Sequence, residues 1–337
     1  MNILFELSKE YPTLPQDEIF ACLNSENISY TINENNNDIL NISTNTDINL
    51  IKDIVSRLSH IFYVDELFFS CSKSIKEIKK NTKKYFIDLP GSIAIRYTNR
   101  SKNKNSLEII KIIKEIYTKN KKVDLLNPDN EIRVFISDLK VYIGKKIIFN
   151  DRSQYEKRRV QFRPYFSPIS LHPKIARALV NLSGIRKNEI LLDPFCGTGG
   201  ILLEAGLIGA KVIGSDIAEK MIYGSKETLD FYKIKKYQLF CSDINDIKKH
   251  IDFVDAIVTD LPYGKATTTK GEDINRLYTR AFKVFVEILK EKKKAVIGIS
   301  NKKWATKIHT DLKLMGIYEI RAHKSLTRYF AVFEKQP

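Results

Sequence analysis

The chain has 337 residues, and 43% of them are hydrophobic, a share that suits a globular protein and is too high for a disordered one. This length predicts two or three domains, because a single hydrophobic core rarely serves so long a chain. No apolar run approaches the roughly 20 residues of a membrane helix, and Met1–Leu7 does not resemble a signal peptide, so we expect a soluble, cytoplasmic protein.

The charge balance favours a polyanionic partner. Lys and Arg number 56 against 40 Asp and Glu, a formal net charge of +16, and such an excess favours nucleic acid through phosphate contacts. A lysine-rich solvated surface is the alternative that composition alone leaves open. The four cysteines are isolated and lack metal-ligand spacing, so we expect neither a metal site nor a disulfide framework.

Residues 1–150 mix short helices and strands. In residues 1–60 we predict a small α+β (ferredoxin-like) module with strands near Ile28–Ile32 and Ile39–Ile42. In residues 61–150 the predicted elements are a strand at Ser92–Tyr97, a helix from Ser106, and two strands at Glu131–Ile136 and Lys140–Ile143. A basic linker, residues 151–165, follows.

The C-terminal part, residues 166–337, alternates apolar strand runs with helical patterns, which is typical of an α/β fold with a parallel sheet. Pro173 begins a helix. The predicted strands are Glu189–Phe195, Lys211–Asp216, Tyr237–Asp243, Asp255–Leu261 and Lys294–Ser300. Tyr318–His323 and Arg328–Glu334 then predict a terminal antiparallel hairpin.

A glycine turn follows the first of these strands. It comprises Asp193, Pro194, Phe195, Cys196, Gly197, Thr198, Gly199 and Gly200 and leads into a helix. Glycines let the backbone bend sharply and approach a ligand closely, and the helix N-terminus offers free N–H groups. The turn lacks the third glycine of a dinucleotide site and the Gly-Lys-Ser/Thr of a phosphate loop.

The string resembles motif I of nucleic-acid methyltransferases, which implies a Rossmann-like class I methyltransferase domain with a seven-stranded sheet and S-adenosyl-L-methionine as cofactor. By this resemblance the turn holds the methionine part of the cofactor. Asp216 ends the next strand, where its carboxylate can accept both ribose hydroxyls. Asp243 ends the third strand and can accept from the adenine amino group, while Ile217 and Ile244 lie beside the adenine. A lone Asp at a strand end is more often a helix cap, but three carboxylates at one sheet edge favour a ligand site.

Asp260, Leu261, Pro262 and Tyr263 end the fourth strand. They resemble the (D/N)-P-P-(Y/F) catalytic motif of amino-group methyltransferases, with Leu261 replacing the first proline. A nucleobase amine is a poor nucleophile because its lone pair is delocalised into the ring. The Asp260 carboxylate and the Leu261 carbonyl can accept its N–H groups, and Tyr263 offers a face on which a flipped base can stack. Asp260 can also take the released proton.

Three further strings identify the family that the chain resembles. Phe166–Pro173, which includes His172, resembles the segment that touches the methionine end of the cofactor. Lys122–Asp129 resembles the THUMP RNA-binding domain, and Asp151–Arg159 resembles the connecting segment of THUMP-containing tRNA guanine-N2 methyltransferases. The resemblance covers the chain from about residue 60 and implies methylation of guanosine 10, with a second methyl to give N2,N2-dimethylguanosine.

The same resemblance implies that tRNA is the polyanionic partner. The THUMP domain then grips the acceptor end, and a guanine of the D-arm is flipped into the active site. Candidate phosphate contacts are Lys73, Lys76, Lys79, Lys80, Lys83 and Lys84, with Tyr85 and Phe86 beside them, and Arg158, Arg159 and Arg163 in the linker. Lys265 and residues 266–273 predict a substrate loop. We expect a monomer, with a small activating partner protein as the alternative.

Three other functions compete with this interpretation. The nearest is an N2-guanine methyltransferase that acts at another tRNA position or on rRNA. A DNA adenine-N6 methyltransferase shares the catalytic logic, but the RNA-type N-terminal half argues against it. A non-catalytic tRNA-binding protein is the third, and Asp193, Gly197, Gly199 and Asp260 argue against it because they are intact.

Overall fold

The computed structural model describes residues 1–102, 106–167, 170–263, 272–306, 311–323 and 326–337. The chain forms two compact units. The first contains Met1–Gln16, Ile28–Ser56 and Ile61–Asp151, and the second contains Asp17–Asn27, Arg57–His60 and Arg152–Pro337. None of the helices in the described ranges is long and apolar enough to cross a membrane.

One mixed sheet organises the first unit. Its strands are β1 (Asn2–Leu7), β2 (Thr31–Asn35), β3 (Ile39–Ser43), β4 (Ile61–Ser72), β5 (Ile93–Asn99), β6 (Asn130–Ile136) and β7 (Lys140–Phe149). The helices in this part of the chain are α1 (Leu14–Ser25), α2 (Ile48–Arg57), α3 (Ile75–Lys84) and α4 (Ser106–Tyr117). The strand order is β2-β3-β1-β4-β7-β6-β5, so the sheet continues across residue 60.

The first four strands form the ferredoxin-like arrangement in which both neighbours of β1 are antiparallel to it. Its fourth strand is β4, which begins at Ile61, so residues 1–60 alone do not complete it. The strand expected at Ile28–Ile32 lies slightly later, at Thr31–Asn35. On α4 the isoleucines Ile109, Ile112 and Ile113 are buried against the sheet, because their spacing places them on one helix face.

The second unit contains the other seven strands. They are β8 (Ile190–Asp193), β9 (Lys211–Asp216), β10 (Tyr237–Cys241), β11 (Val254–Asp260), β12 (Leu289–Ile299), β13 (Leu312–His323) and β14 (Leu326–Lys335). The helices are α5 (Ser153–Glu156), α6 (Pro173–Leu182), α7 (Gly200–Leu207), α8 (Glu219–Phe231), α9 (Ile274–Ile288) and α10 (Lys303–Thr306).

The sheet of the second unit has the order β10-β9-β8-β11-β12-β14-β13. Strands β8 to β12 pair in parallel, while β14 is antiparallel to both β12 and β13. The central strands β8 and β11 are apolar along most of their length because helices cover both faces of such a sheet. This architecture confirms the expected Rossmann-like class I methyltransferase fold with its terminal antiparallel hairpin.

A buried polar cluster, here called the Glu18 cluster, joins two N-terminal segments of the second unit to α6. Its members are Glu18, Arg57, Ser59, His60 and Asn181. One Glu18 oxygen accepts from the Ser59 N–H at 2.8 Å and from the Asn181 amide at 2.7 Å, and the other accepts from the His60 N–H at 3.0 Å. Arg57 donates to the Asn181 side-chain oxygen at 2.8 Å. Burial opposes ionisation of Glu18, but these hydrogen bonds and the contact with His60 outweigh it and lower its pKa.

Two arginines of the linker are buried, which corrects one expectation from the sequence. Arg158 is 9% exposed and donates to both oxygens of the buried Glu204, at 2.8 and 3.1 Å, while Arg177 lies 2.9 Å from the same carboxylate. Arg163 is 5% exposed and donates to the Arg158 carbonyl at 2.9 Å. The expected phosphate contacts of Arg158 and Arg163 are therefore wrong, because neither side chain reaches the surface. Arg159 is exposed and lies 3.2 Å from Glu156.

Candidate active site

A cavity of ≈ 400 Å³ lies at the carboxyl ends of β8, β9, β10 and β11. The chain builds β8, β9 and β10 outward in one direction and then adds β11 on the other side of β8. Crevices at such a reversal of strand order are where open α/β sheets bind ligands, and the volume suits a small cofactor. The residues singled out in the sequence that line it are Asp193, Phe195, Cys196, Gly197, Thr198, Asp216, Ile217, Asp243, Ile244 and Asp260–Tyr263.

The glycine turn forms the floor of this cavity. Gly197 and Gly199 have φ of +51° and +76°, which glycine adopts without the steric cost that a Cβ brings. Gly197 lines the cavity, and a Cβ there would point into open space. Gly199 precedes the first residue of α7 and does not line the cavity. Burial raises the pKa of the Cys196 thiol well above its usual value, so it packs as a neutral group.

Asp193 lies beneath the turn and is 1% exposed. Its Oδ1 atom accepts hydrogen bonds from the Thr259 hydroxyl at 2.7 Å and from the Phe195 N–H at 3.2 Å. Burial outweighs these hydrogen bonds and raises the pKa of Asp193 to about 7. The side chain thus fixes the shape of the turn as well as lining the cavity.

Asp216 and Asp243 continue the row of carboxylates along the sheet edge. Asp216 accepts from the Gly197 N–H at 3.1 Å and from the Ala218 N–H at 2.9 Å, and burial raises its pKa in spite of these bonds. Asp243 accepts from Arg280 on both oxygens, at 2.6 and 3.3 Å. Burial of Asp243 is outweighed by the hydrogen bonds from Arg280 and from the Asn245 N–H, so its pKa is lowered.

His172 is not among the residues that line the cavity. It caps the N-terminus of α6, where its Nδ1 accepts from the Lys174 N–H at 3.2 Å, and its Nε2 lies 3.1 Å from Glu156. Burial lowers its pKa, although Glu156 opposes that shift. The expected contact with a cofactor is not part of this arrangement. The neighbouring Ser170 and Leu171 line the cavity instead.

Asp260 ends β11 and begins the turn that continues to Tyr263; β11 lies on the other side of β8 from β9, which ends at Asp216. The Tyr263 hydroxyl donates to Oδ1 of Asp260, and Nη1 of Arg328 lies 3.1 Å from Oδ2. The guanidinium carbon of Arg328 lies 5.7 Å from the centroid of the Tyr263 ring. Burial raises the pKa of Asp260, and it does so against the opposing effects of Arg328 and Tyr263.

Two backbone contacts hold this turn in place. The Leu261 N–H donates to the Gly298 carbonyl on β12 at 3.1 Å. The Tyr278 hydroxyl, from α9, donates to the Pro262 carbonyl at 3.0 Å and accepts from the Ser300 N–H at 3.3 Å. The turn therefore depends on α9 and β12, two elements that come later in the sequence.

Several residues at the site were not identified from the sequence. Lys220, Met221, Ser242 and Leu277 line the cavity, and Thr259, Arg280 and Arg328 hold its carboxylates. Glu272, which lies in the predicted substrate loop, also lines the cavity. Thr259 directly precedes Asp260, so the motif itself could have identified it. Arg280 and Arg328 lie outside the motifs, so nothing in their neighbouring sequence marks them as residues of the site. Within the predicted substrate loop, Lys265 and residues 264–271 lie outside the described residues, as do residues 168–169 of the segment before α6.

Comparison with known proteins places this geometry among methyltransferases. A family model described as "RMKL-like, methyltransferase domain" matches residues 160–329, and one described as "DNA methylase" matches residues 20–227. The chain is 32% identical to the tRNA (guanine(10)-N2)-dimethyltransferase of Methanocaldococcus jannaschii, over 98% of this chain and 99% of the relative. It is 30% identical to the protein of the same name from Methanothermobacter thermautotrophicus, over 99% of this chain and 100% of that relative.

Among solved structures the chain is similar to TrmN from Thermus thermophilus, with a TM-score of 0.58 and 17% sequence identity. The match covers 99% of this chain and 100% of that chain. At this level of identity the similarity concerns the fold, and it extends through both halves of the chain.

Proposed function

The chain belongs to the tRNA (guanine(10)-N2)-dimethyltransferase family, and on this premise we propose that it methylates the exocyclic N2 of guanosine 10 in tRNA. The methyl donor is S-adenosylmethionine. One observation carries the proposal: Asp260 and the residues of the glycine turn line the same cavity. A nucleobase amine held by Asp260 therefore lies beside the bound cofactor.

The residues present fit S-adenosylmethionine. Asp216 lies where its carboxylate can accept the two ribose hydroxyls, and Ile217 and Ile244 add apolar surface for the adenine. The open space above Gly197 admits the methionine part without a clash. When bound, S-adenosylmethionine supplies an electrophilic methyl carbon attached to its sulfonium sulfur. The protein's own part is to bind and orient it beside Asp260.

Asp260 prepares the nucleophile. Its carboxylate accepts an N–H of the guanine amino group, as does the Leu261 carbonyl, which draws the nitrogen lone pair out of conjugation with the ring. The Tyr263 ring forms the face on which the flipped base stacks, a contact worth about 1–3 kcal/mol per base. After transfer the nitrogen releases a proton to Asp260, which passes it to solvent. A second cycle on the same nitrogen gives the dimethylated product.

We further propose that the first unit binds tRNA. On α3 and just beyond it, Lys76, Lys79, Lys80, Lys83 and Lys84 are exposed, as are Tyr85 and Phe86. Lysines contact phosphates, and exposed aromatic rings can stack on unpaired bases. The single-stranded acceptor end of tRNA offers both. The similarity of Lys122–Asp129 to THUMP sequences supports this assignment.

The test is methyl transfer to a defined tRNA. Purified protein, labelled S-adenosylmethionine and an unmodified transcript are incubated, and the modified nucleoside is mapped by mass spectrometry. We expect N2-methylguanosine at position 10 first and N2,N2-dimethylguanosine later. A transcript with adenosine in place of guanosine 10 serves as control and should take no label. Label at another guanine overturns the site assignment.

Two variants separate chemistry from binding. Asp260→Ala should abolish transfer while leaving S-adenosylmethionine binding measurable by calorimetry. Asp252→Ala, at an exposed carboxylate just before β11, should leave both unchanged.

The match of residues 20–227 to a DNA methylase model favours one second candidate, an amino methyltransferase of DNA. Label on duplex DNA with none on tRNA would select that candidate.

A further inference from the structure

Arg328 is the one cation that the described residues bring into contact with Asp260. It lies on β14, the antiparallel strand next to β12, far along the chain from the catalytic turn. Its side chain is 7% exposed and that of Asp260 is 17% exposed, so solvent screens the pair little. Arg328 Nε is buried without a hydrogen-bond partner in the described part of the chain. A cation in this position incurs a desolvation cost that its contact with Asp260 must offset.

The two oxygens of Asp260 have different partners. Arg328 contacts Oδ2 at 3.1 Å, and the Tyr263 hydroxyl donates to Oδ1. An ionised carboxylate has about four lone-pair positions, so each oxygen keeps a position for one more donor. Because Arg328 lies on a strand of the sheet, its guanidinium is held against Oδ2.

We propose that Arg328 is a positioning residue for methyl transfer: held on β14 against Oδ2, its guanidinium keeps Asp260 ionised. This inference rests on the proposed function and adds to it the group that sets the charge of the catalytic carboxylate. A protonated Asp260 donates through one oxygen and cannot receive the proton that the nitrogen releases. In the transfer the carbon–sulfur bond breaks as the nitrogen–carbon bond forms, and that proton passes to Asp260.

The surroundings of Asp260 are consistent with this role. The charged and titratable described groups that face it are Arg328 from β14, Tyr263 from its own turn, Asp193 from β8 and Tyr278 from α9. Aspartate and tyrosine side chains carry no positive charge in any protonation state. Burial also raises the pKa values of Asp193, Tyr263 and Tyr278, which favours their neutral forms. Arg328 alone among the four opposes protonation of Asp260 by its charge.

The first test is the pH profile of single-turnover methylation of the tRNA transcript at saturating S-adenosylmethionine. In Arg328→Gln the acid limb should move up by about 1–3 pH units, the usual effect of an opposite charge on a carboxylate. The rate should approach that of the wild type at alkaline pH. Arg328→Lys, which keeps the charge, should restore most of the acid limb. Arg321→Gln, at an exposed arginine of β13, is the matched control.

The second test needs no activity. Without Arg328 the buried Asp260 carboxylate has no counter-charge, so ionising it destabilises the fold. The loss of stability in Arg328→Gln relative to wild type should therefore grow between pH 5 and pH 8, measured by denaturant unfolding. If Arg328→Gln is already unfolded at pH 8, it can be tested near pH 5, where it should regain structure.

The outcomes distinguish the two claims. A rate lowered equally at all pH values, with a stability difference independent of pH, overturns the role of Arg328. A wild-type protein that methylates no tRNA overturns the proposed function, while the unfolding measurement still decides whether Arg328 sets the charge of Asp260.

Discussion

The Thr259 hydroxyl donates to Oδ1 of Asp193 at 2.7 Å, and both side chains are buried. This hydrogen bond links β11, which ends at Asp260, to β8, which leads into the glycine turn. This side-chain contact, added to the pairing of β8 with β11, connects the floor of the cavity to the wall that holds Asp260. Burial raises the pKa of Asp193, and this hydrogen bond is the contact that most strongly lowers it.

Asp193→Asn should change how stability depends on pH. The pKa of Asp193 is about 7 in the folded protein and about 3.8 when unfolded. Between these values the folded state holds more protons, so the free energy of unfolding falls as pH rises, by up to about 1.4 kcal/mol per pH unit. The variant keeps an oxygen for Thr259 and Phe195 and should lose this slope.

Denaturant unfolding of wild type and Asp193→Asn at pH 4 to 8 measures the difference. Thr259→Val retains the carboxylate but removes its strongest hydrogen bond, so its slope should persist to a higher pH. Parallel curves for wild type and Asp193→Asn would contradict the assignment of this titration to Asp193.

Gly298→Ala should impair catalysis more than stability. A Cβ at Gly298 would lie 2.3 Å from Oδ1 of Asp260 and 2.9 Å from the Phe330 ring, so the carboxylate must move. Displacements of about 1 Å at a reacting centre can cost about 100-fold in rate, whereas overpacking costs about 1–3 kcal/mol of stability. Single-turnover rates and thermal unfolding measure the two effects.

Gly316→Ala on β13 is the matched control, since the atom nearest to its Cβ would lie 3.7 Å away. It should leave the rate unchanged. Equal rates for Gly298→Ala and wild type would mean that the Asp260 carboxylate can shift without consequence.

Arg280→Ala should weaken binding of S-adenosylmethionine. Arg280 holds Asp243 by two hydrogen bonds and Glu272 by two more, and both carboxylates line the cavity. Without it the carboxylates repel one another and Asp243 loses its fixed orientation. We expect Kd to rise about tenfold, equivalent to about 1.4 kcal/mol, by calorimetry.

Arg276, exposed on the same helix, provides the control, and Arg276→Ala should bind the cofactor normally. If Arg280→Ala bound S-adenosylmethionine as wild type does, Asp243 would not need its partner for adenosine recognition.

Basic residues in the two units should respond differently to substitution. Lys83→Ala and Lys84→Ala, at exposed positions, should each reduce the salt dependence of tRNA binding by about one unit of log–log slope. Arg158→Ala should leave that slope unchanged and reduce stability by about 3 kcal/mol, since it breaks a buried ion pair. Filter binding over a salt series and denaturant unfolding report the two quantities. A lower slope for Arg158→Ala would restore it as a phosphate contact.

The row of carboxylates was predictable from sequence because the rule behind it is geometric. Apolar runs that end in Asp193, Asp216 and Asp260 are parallel strands, and the carboxyl ends of parallel strands meet at one edge. Arg280 and Arg328 could not be placed in this way. A long cationic side chain is usually solvated, and only the folded sheet and helix bring each one to its carboxylate.

Two other failures have physical causes. Strands β1 and β4 were not predicted, because Glu6 and Asp65 interrupt their apolar runs. In the structure both carboxylates are buried with Arg133, which the sequence gives no means to pair with them. Arg158 was expected at the surface for a similar reason. Its partner Glu204 lies within the apolar helix α7, where an acidic residue suggests a solvated position.

The Glu18 cluster bears on how such a protein can change during evolution. Asn181 on α6 meets its partners from Glu18 and Arg57, which precede most of the first unit in sequence. A gene fusion that joined residues 152–337 to a different N-terminal module would leave those partners behind. Exchange by recombination would succeed only if the new module brought equivalents of residues 17–27 and 57–60. The two halves are therefore expected to be inherited together.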